Sequence, residues 1–374
     1  MVCAWSVCIE LESSTSAGGG DMNKQVEYAE LHCLSNFSFL RGASHPEELI
    51  MQAERLAYRA LALTDECSMA GIVRAYAATR SEYIKTKLIV GSEFQLNDGP
   101  KIVLLCPDRA AYAEVCALIT LARRRCDKGE YVVFQQDLST LQHALMLWKP
   151  SSEAEADRRF AAFAQDVFHK RCWLLYERLL DAQEFKRGSG YRRWCCSLSH
   201  DFKQPIVCAG DVHMHVPERQ AIQDVLTAIR HTTTLEQLGV RGFSNPERSL
   251  RPLSKLRKVY SEQDMAETVR IAQRCDFDLS TLRYEYPEEL VPNGYTAGQY
   301  LKYLVDKGMR VRFPNGVALP IQGTIRRELK LIEEQGYEFT GQLEQYDVQL
   351  LSENLFEHPE ISRLNVTGPG GNMQ

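Results

Sequence analysis

The sequence predicts an α/β fold with a parallel sheet, either open or closed into a barrel, followed by a small helical segment. Short apolar runs alternate with helical patterns from residue 28 to residue 209, which is typical of parallel α/β architectures. From residue 217 onward helical patterns dominate, and beyond Glu288 no strand pattern is visible. The length of 374 residues allows two or three domains, or one barrel of about 250 residues with an appendage.

Six short runs have the composition of strands, because each is apolar and most are bounded by Gly, Pro, Asp or a polar cluster. The predicted strands are Tyr28–Cys33, Ala60–Thr64, Lys87–Gly91, Ile102–Cys106, Cys172–Tyr176 and Ile206–Ala209. Periodicity is weaker from Asp127 to Ser152, and we interpret that stretch as a long excursion within the same domain.

Helical patterns fill the gaps between these strands and continue after them. Ser44 is predicted to cap one helix, because Pro46 lies in its first turn and Glu47, three residues on, completes a capping box. Further helices are predicted at Glu153–Phe168, Pro217–Arg230, Glu262–Arg274, Ala297–Val311 and Ile321–Gln335.

Four segments follow from this pattern. Residues 1–25 are predicted to be a disordered extension, residues 26–285 the barrel domain, residues 286–339 a helical segment and residues 340–374 a divergent tail. No apolar run approaches the roughly 20 residues of a membrane helix, and the first 25 residues contain no basic start of a signal peptide. The sequence therefore predicts a soluble, cytoplasmic protein without a membrane partner.

The charge and the cysteines point to no particular chemistry. A net charge of −5 gives no overall attraction to nucleic acid. Two basic runs, Arg123–Arg125 and Arg251–Lys258, are interpreted as solvated helix faces. The twelve cysteines include no C-x-x-C pair, so we expect them to be small buried hydrophobic residues.

Polar side chains follow the predicted strands at the points where the strands end. They are His32, Asp65, Glu66, Glu93, Asp211 and His213. In parallel α/β barrels functional side chains lie at this carboxyl edge, and imidazole and carboxylate groups are ligands for zinc, manganese or iron. Each residue alone could be a hydrogen-bonded group at a strand end, but the series predicts a metal site.

Four motifs at these positions resemble those of the PHP (polymerase and histidinol phosphatase) domain, in the form found in bacterial error-prone DNA polymerases. They are residues 28–49 (YAELHCLSNFSFLRGASHPEEL), 63–71 (LTDECSMAG), 91–94 (GSEF) and 210–213 (GDVH). Residues 245–252 (NPERSLRP) and 282–292 (LRYEYPEELVP) are similar to the stretch that leads such polymerases toward their palm domain. The resemblance covers residues 28–339 in order.

The resemblance implies a distorted (β/α)7 barrel, similar to a TIM barrel, with up to three metal ions at its mouth. Some relatives use these ions for phosphoester hydrolysis or proofreading. For the intact polymerases, which are C-family enzymes related to the DNA polymerase III alpha subunit, it implies error-prone DNA synthesis in repair and replication. It also implies Mg²⁺ as the cofactor of that synthesis, and DNA and other translesion-synthesis proteins as partners.

This chain departs from the metal-binding pattern of the family. Leu34 stands where the first motif has its second histidine, and Arg41 stands where an aspartate is expected. Glu66 replaces the histidine of the second motif, and Lys101 replaces one at the start of the next strand. No histidine occurs in residues 175–180, where another would be sought. The resemblance therefore implies a degenerate metal site.

A cation beside a divalent ion costs on the order of several kcal/mol in a partly desolvated site, so a three-metal cluster is not expected. The favoured hypothesis is that Arg41 or Lys101 pairs with Asp65, Glu66 or Asp211 and balances the charge of the barrel mouth. A single residual divalent metal, Zn or Mn, is the second hypothesis. The third is an active phosphoesterase or 3'-5' exonuclease of the PHP type, with the metal at His32, Asp211 and His213.

The polymerase reaction needs carboxylates that hold two Mg²⁺ ions and a cradle for the triphosphate. In the family these follow the position of Phe339, where the resemblance ends. Asp276 and Asp278 form an Asp-x-Asp pair, but they follow a predicted helix and are interpreted as a solvated helix end. We therefore expect a barrel with a structural role that packs on the palm domain of the same polymerase, and no polymerisation by this chain alone.

Overall fold

The computed structural model describes residues 27–151, 153–282, 291–292 and 294–335. The chain divides into two compact units, Met1–Leu282 and Arg283–Gln374. The predicted segment limits near residues 25, 285 and 339 lie outside the described residues, so the four-segment assignment stays a prediction.

The first unit is built on a seven-stranded sheet whose strands follow one another in chain order. The strands are β1 (Ala29–Cys33), β2 (Ala60–Leu63), β3 (Lys87–Gln95), β4 (Lys101–Leu105), β5 (Leu145–Trp148), β6 (Cys172–Glu177) and β7 (Ile206–Ala209). The two edges of the sheet meet just beyond β7, where Val212 N donates to His32 O at 3.0 Å and Leu34 N donates to Val212 O at 2.8 Å. The sheet is thus nearly closed into a barrel, and the predicted α/β barrel class is confirmed.

The sheet is mixed, so the prediction of a parallel sheet is wrong for one strand. β4 runs antiparallel to both β3 and β5, while the other neighbouring strands pair in parallel. Residues 96–100, which join β3 to β4, are too few for the crossover that parallel strands need. The stretch Asp127–Ser152 is also not a plain excursion, because it contains β5, a strand of only four residues.

Ten helices complete the part of the chain that the structure describes. The first unit contains α1 (Pro46–Arg55), α2 (Ile72–Thr79), α3 (Arg109–Arg124), α4 (Ala154–Val167), α5 (Ala182–Phe202), α6 (Gln220–Arg230), α7 (Leu253–Val259) and α8 (Glu262–Arg274). The second contains α9 (Ala297–Arg312) and α10 (Leu319–Gln335). The five helices predicted by their limits all form, with ends within three residues of those limits. No described helix has the length and apolar character needed to cross a membrane.

The predicted cap of α1 is wrong. α1 begins at Pro46 after His45, and His45 N donates to the Glu48 carboxylate at 2.9 Å. The Ser44 hydroxyl instead accepts a hydrogen bond from His215 N at 2.9 Å. The Ser44 side chain therefore binds His215, which is distant in sequence, and does not cap the helix as the local pattern predicted.

The interior of the barrel is apolar, and α8 closes its amino end. Ile271, Ala272 and Cys275 pack with inward side chains of the strands, including Leu31 and Val207. Thr268 Oγ1 accepts a hydrogen bond from Ala29 N at 3.0 Å, which fixes α8 against the start of β1. We call Ile271, Ala272 and Cys275 the barrel floor.

Neither basic run is a simple solvated face. Arg123 donates to Cys67 O at 3.1 Å, and Arg125 pairs with Asp137 at 2.5 Å. Arg251 is 2% exposed and donates to Arg178 O at 2.8 Å. These guanidinium groups therefore hold loops in place. The cysteine prediction agrees with the structure, since seven of the ten described cysteines are buried.

Asp276 and Asp278 follow α8 and flank Phe277. Asp276 is 84% exposed and pairs with Lys87, whereas Phe277 is buried.

In the second unit, none of the described side chains of α9 and α10 is buried. These two helices therefore lack a core among the described residues.

Candidate metal site at the barrel mouth

Ionisable side chains converge at the carboxyl ends of the strands. His32 lies on β1, Glu93 on β3 and Glu177 at the end of β6, and all three are at most 5% exposed. Asp211 follows β7. We call the following group the mouth cluster: His32, Arg41, Glu66, Glu93, Lys101, Lys149, Glu177, Asp211, His213 and Arg248.

His32 stands at the centre of the mouth cluster. Its Nε2 lies 2.6 Å from Glu93 Oε2, and its Nδ1 lies 2.6 Å from Glu177 Oε1. Ionised carboxylates only accept hydrogen bonds, so the ring satisfies both neighbours only when both nitrogens carry a proton. Burial lowers the pKa of His32, but Glu177 and Glu93 together raise it above its ordinary value. The geometry thus favours a buried imidazolium.

Glu93 receives three positively charged or donating groups. Arg41 Nη1 lies 2.5 Å from Glu93 Oε1, and Lys101 Nζ lies 2.9 Å from Glu93 Oε2. His32 completes the set. Burial raises the pKa of Glu93, but Lys101, Arg41 and His32 outweigh it and hold the pKa well below the usual value. Glu93 is therefore ionised and fully engaged.

Glu177 occupies the equivalent position on the other side of His32. Lys149 directly follows β5, and its Nζ lies 2.6 Å from Glu177 Oε2. Burial raises the pKa of Glu177, but Lys149 and His32 lower it below its ordinary range. The pair Glu177–Lys149 thus repeats the pairing of Glu93 with Lys101.

Asp211 and His213 form a third group. Arg248 donates a short hydrogen bond to Asp211 Oδ2, and Asp211 holds a left-handed backbone conformation with φ 45°. His213 Nδ1 lies 2.9 Å from Arg41 O, and its Nε2 lies 3.2 Å from Asp211 Oδ1. Burial and the Arg41 cation lower the pKa of His213 to about 3, so its ring is neutral. With Nδ1 donating to Arg41 O, the Nε2 lone pair faces a carboxylate oxygen.

Asp65 and Glu66 have different roles. Asp65 accepts hydrogen bonds from Ser35 N at 2.8 Å and from the Ser38 hydroxyl at 2.7 Å. Burial raises the pKa of Asp65 despite these bonds. Glu66 is partly exposed and pairs with Arg41 at 2.6 Å. Asp65 is thus a loop anchor, whereas Glu66 belongs to the mouth cluster.

The structure brings most of the predicted residues together, with different partners for some of them. Arg41 pairs with Glu66 as expected and also with Glu93. Lys101 pairs with Glu93, which was expected to be a metal ligand. The other two carboxylates named in that hypothesis have different partners, because serines hold Asp65 and Arg248 holds Asp211.

Sequence reasoning missed Lys149, Glu177 and Arg248. Lys149 follows β5, and the failure to predict that strand hid the strand-end position. Glu177 directly follows the predicted strand Cys172–Tyr176, in a stretch where the resemblance implies a histidine. Arg248 lies within a quoted motif but after a loop, so no strand-end rule points to it. A search for any ionisable residue at the end of each predicted strand would have found Glu177 alone.

Each carboxylate of the mouth cluster is paired with a cation of the protein. The pairs are Glu66 with Arg41, Glu93 with Arg41 and Lys101, Glu177 with Lys149, and Asp211 with Arg248. These residues do not fit a cluster of several metal ions, because the cations hold the oxygens that would be ligands. His32, Glu177 and Asp211 still offer ligand atoms within 4.8 Å of one another, a buried group of the type that can hold one ion.

Comparison with known proteins supports the PHP resemblance. Residues 30–188 match the PHP domain family. The chain is 50% identical over 312 residues to the error-prone DNA polymerase of Vibrio vulnificus strain YJ016, covering 83% of this chain and 30% of that protein. The enzyme of that name from Pseudomonas paraeruginosa is 48% identical with the same coverage. The chain thus spans about 30% of the length of these curated relatives.

A solved structure from Bifidobacterium adolescentis, provisionally assigned as a metal-dependent phosphoesterase, is also similar. It has a TM-score of 0.37 and 13% identity, and the match covers 50% of this chain and 88% of that chain. A likeness this weak adds nothing to the assignment, which depends on the sequence matches.

Proposed function

We propose that this chain has a non-catalytic structural role within an error-prone DNA polymerase. The proposal is supported by the match of residues 30–188 to the PHP domain family and by the similarity to about 30% of the length of such polymerases. The barrel supports the rest of the enzyme, and its mouth cluster is a charge-balanced remnant of a metal site. Arg41 and Lys101, joined by Lys149 and Arg248, replace the charge of the ions.

One observation carries this proposal: the oxygens of Glu93, Glu177 and Asp211 are held by protein cations. Buried ion pairs hold their geometry only when the remaining lone pairs are also satisfied, as they are around His32. A ligand set that must first lose two or three lysine and arginine partners is a poor metal site. The geometry therefore supports a structural role for the barrel and not a metal-dependent catalytic one.

The intact polymerase would carry out error-prone nucleotidyl transfer, copying damaged templates in DNA repair and replication in the cytoplasm. Mg²⁺ would serve the palm domain, and DNA and other translesion-synthesis proteins would be its partners. These roles are inferred from the relatives' name and from the resemblance. The 374-residue chain alone is expected to give no primer extension, and measurable extension by the purified chain would contradict this.

A second candidate is a PHP-type phosphoesterase or 3'-5' exonuclease with one residual Zn²⁺ or Mn²⁺. One observation favours it: His213 Nε2 and Asp211 Oδ1 face each other at 3.2 Å with no proton between them when the ring is neutral. A cation placed there would satisfy both lone pairs. Arg248 on the other oxygen of Asp211 argues against it.

The two candidates are separated by metal content and turnover. The metal content of the purified chain is measured by inductively coupled plasma mass spectrometry. Phosphatase activity is assayed on p-nitrophenyl phosphate and exonuclease activity on a 3'-labelled oligonucleotide, each with added Mn²⁺ or Zn²⁺. The structural role predicts metal far below one ion per chain and no turnover. Stoichiometric metal with a turnover that Asp211→Asn abolishes, and that the surface control Asp276→Asn retains, would overturn it.

A further inference from the structure

Helix α6 presents its apolar side to solvent. Ile222, Val225 and Ile229 follow the i, i+3, i+7 spacing of one helix face, and they are 44%, 42% and 57% exposed. The buried residues of the helix are Gln223, Thr227 and Ala228. The helix is therefore turned with its polar side inward. We call Ile222, Val225 and Ile229 the α6 stripe.

The other amphipathic helices of the barrel are oriented the usual way. α8 buries Met265, Ile271 and Ala272, and α1 buries Leu49 and Ile50. On the other described helices of the barrel, exposed aliphatic residues such as Val73 on α2 stand singly and need no explanation. The α6 stripe is thus a local exception.

The buried side of α6 is also imperfectly satisfied. Gln223 Oε1 and Asp224 Oδ1 are buried without a hydrogen-bond partner among the described residues. A buried unsatisfied acceptor costs about 1–3 kcal/mol, which reduces the stability of α6 on the barrel. Further contacts on its outer side would compensate for that loss.

We propose that the α6 stripe is a docking face for an apolar surface of the polymerase polypeptide that lies outside the matched region in the longer relatives. This inference depends on the proposed function. More than two thirds of each relative's length lies outside the part that this chain spans. That length supplies a candidate surface that every intact relative carries in the same molecule.

The size of the stripe favours a partner in the same polypeptide over a separate one. Three half-exposed aliphatic side chains cover only about 10 Å of helix. Independent partners that associate stably bury about 800 Å² each, which is far more than this face offers. A covalently linked domain meets the face at a high effective concentration, so a small apolar contact suffices. A second copy of this chain is therefore disfavoured.

The placement of α6 would link this contact to the mouth cluster. The segment from Asp211 and His213 leads through a short 3-10 turn at Pro217–Arg219 into α6. Arg219 in that turn pairs with Glu48 of α1. A short, anchored segment of chain thus connects α6 to the mouth cluster.

The test measures thiol labelling at the stripe in two proteins. Val225→Cys is made in the full 374-residue chain, and cysteine is placed at the aligned position of the intact Vibrio vulnificus polymerase. Maleimide labelling is quantified for each proteolytic peptide by mass spectrometry, so that the labelling of the introduced cysteine is measured separately from that of the native cysteines. Val73→Cys and its aligned counterpart are the matched control on α2, since Val73 is 65% exposed.

We expect the stripe cysteine to react at least about tenfold more slowly in the intact polymerase than in the 374-residue chain, with the control equally fast in both. Equal rates at the stripe would overturn the proposal. Slow labelling in the 374-residue chain with a dimer in analytical ultracentrifugation would assign the face to a second copy, which also overturns it. Primer extension and metal content are independent of this readout, so failure here leaves the proposed function standing.

Discussion

The two ends of the barrel have opposite chemistry. The barrel floor is apolar, with Ile271, Ala272 and Cys275 packed against the strands. The mouth holds buried carboxylates, lysines and arginines around His32. The stability of the floor depends on the volume of its side chains, whereas the stability of the mouth depends on the pairing of each charged side chain with one of opposite charge. The comparison indicates that these carboxylates can remain buried at the mouth because the protein supplies their cations.

The largest effect is expected from breaking the charge balance of the mouth. Glu93→Gln leaves Arg41, Lys101 and His32 without their shared carboxylate, and removing one partner of a buried ion pair costs about 3–5 kcal/mol. Urea unfolding followed by circular dichroism measures the change. Glu155→Gln, which breaks the exposed pair with Arg159, is the control and should change the midpoint far less. Similar losses in both variants would refute the distinction between buried and exposed pairs.

A slightly smaller effect is expected at the floor. Ile271→Ala leaves a cavity under the strands, and such truncations cost about 2–5 kcal/mol without any dependence on salt. The same urea titration, repeated at low and high ionic strength, checks both points. Ile229→Ala on the α6 stripe removes the same atoms from a 57% exposed site and should be almost neutral in this chain. A floor variant as stable as the stripe variant would contradict the assignment of the core.

A pH-dependent loss should originate at the mouth. Glu93 and Glu177 have pKa values lowered by folding, so their stabilisation is present above the unfolded value of about 4.3 and is lost as the pH falls. Two such groups give a slope of at most about 2.7 kcal/mol per pH unit. The pKa of His32 is raised, so its contribution is complete below about 6.5 and is lost at higher pH.

Unfolding free energies measured across acidic and neutral pH test this dependence. All three groups stabilise the barrel together between about pH 4.3 and 6.5. Glu177→Gln should reduce the acid slope by about half, since one of the two carboxylates is gone. An unchanged slope in that variant would show that other groups control acid unfolding.

The smallest effect is expected from added metal. Excess Mn²⁺ or Zn²⁺ should leave the Tm of the wild-type chain nearly unchanged, because Lys149 and Arg248 hold the oxygens of Glu177 and Asp211. The double variant Lys149→Gln/Arg248→Gln frees those oxygens, so its Tm should rise with metal concentration. A large shift in the wild-type protein that EDTA reverses would favour the residual metal site.

The sequence predicted the barrel class and most of its elements because their signals are local. Strand–helix alternation and strand-end polar residues require only neighbouring residues, and six of the seven strands and the five helices given by their limits were found this way. β5 escaped because four residues within a region of weak periodicity are too short a signal. The direction of β4 was not predicted, because it depends on the short loop of residues 96–100 and not on the composition of the strand.

By itself the sequence placed His32, Glu93 and Asp211 at strand ends, and the family resemblance led to the prediction that Arg41 and Lys101 replace expected ligands. The tertiary structure decided their partners: Glu93 takes both cations, Arg248 reaches Asp211, and Lys149 pairs with Glu177. The roles of Ser44 and of the α6 stripe were also decided by the tertiary structure. The Ser44 hydroxyl accepts a hydrogen bond from the distant His215 N, and the α6 stripe faces solvent. Hydrogen-bond and charge partners far apart in sequence are chosen by strand register and loop path, which no local pattern encodes.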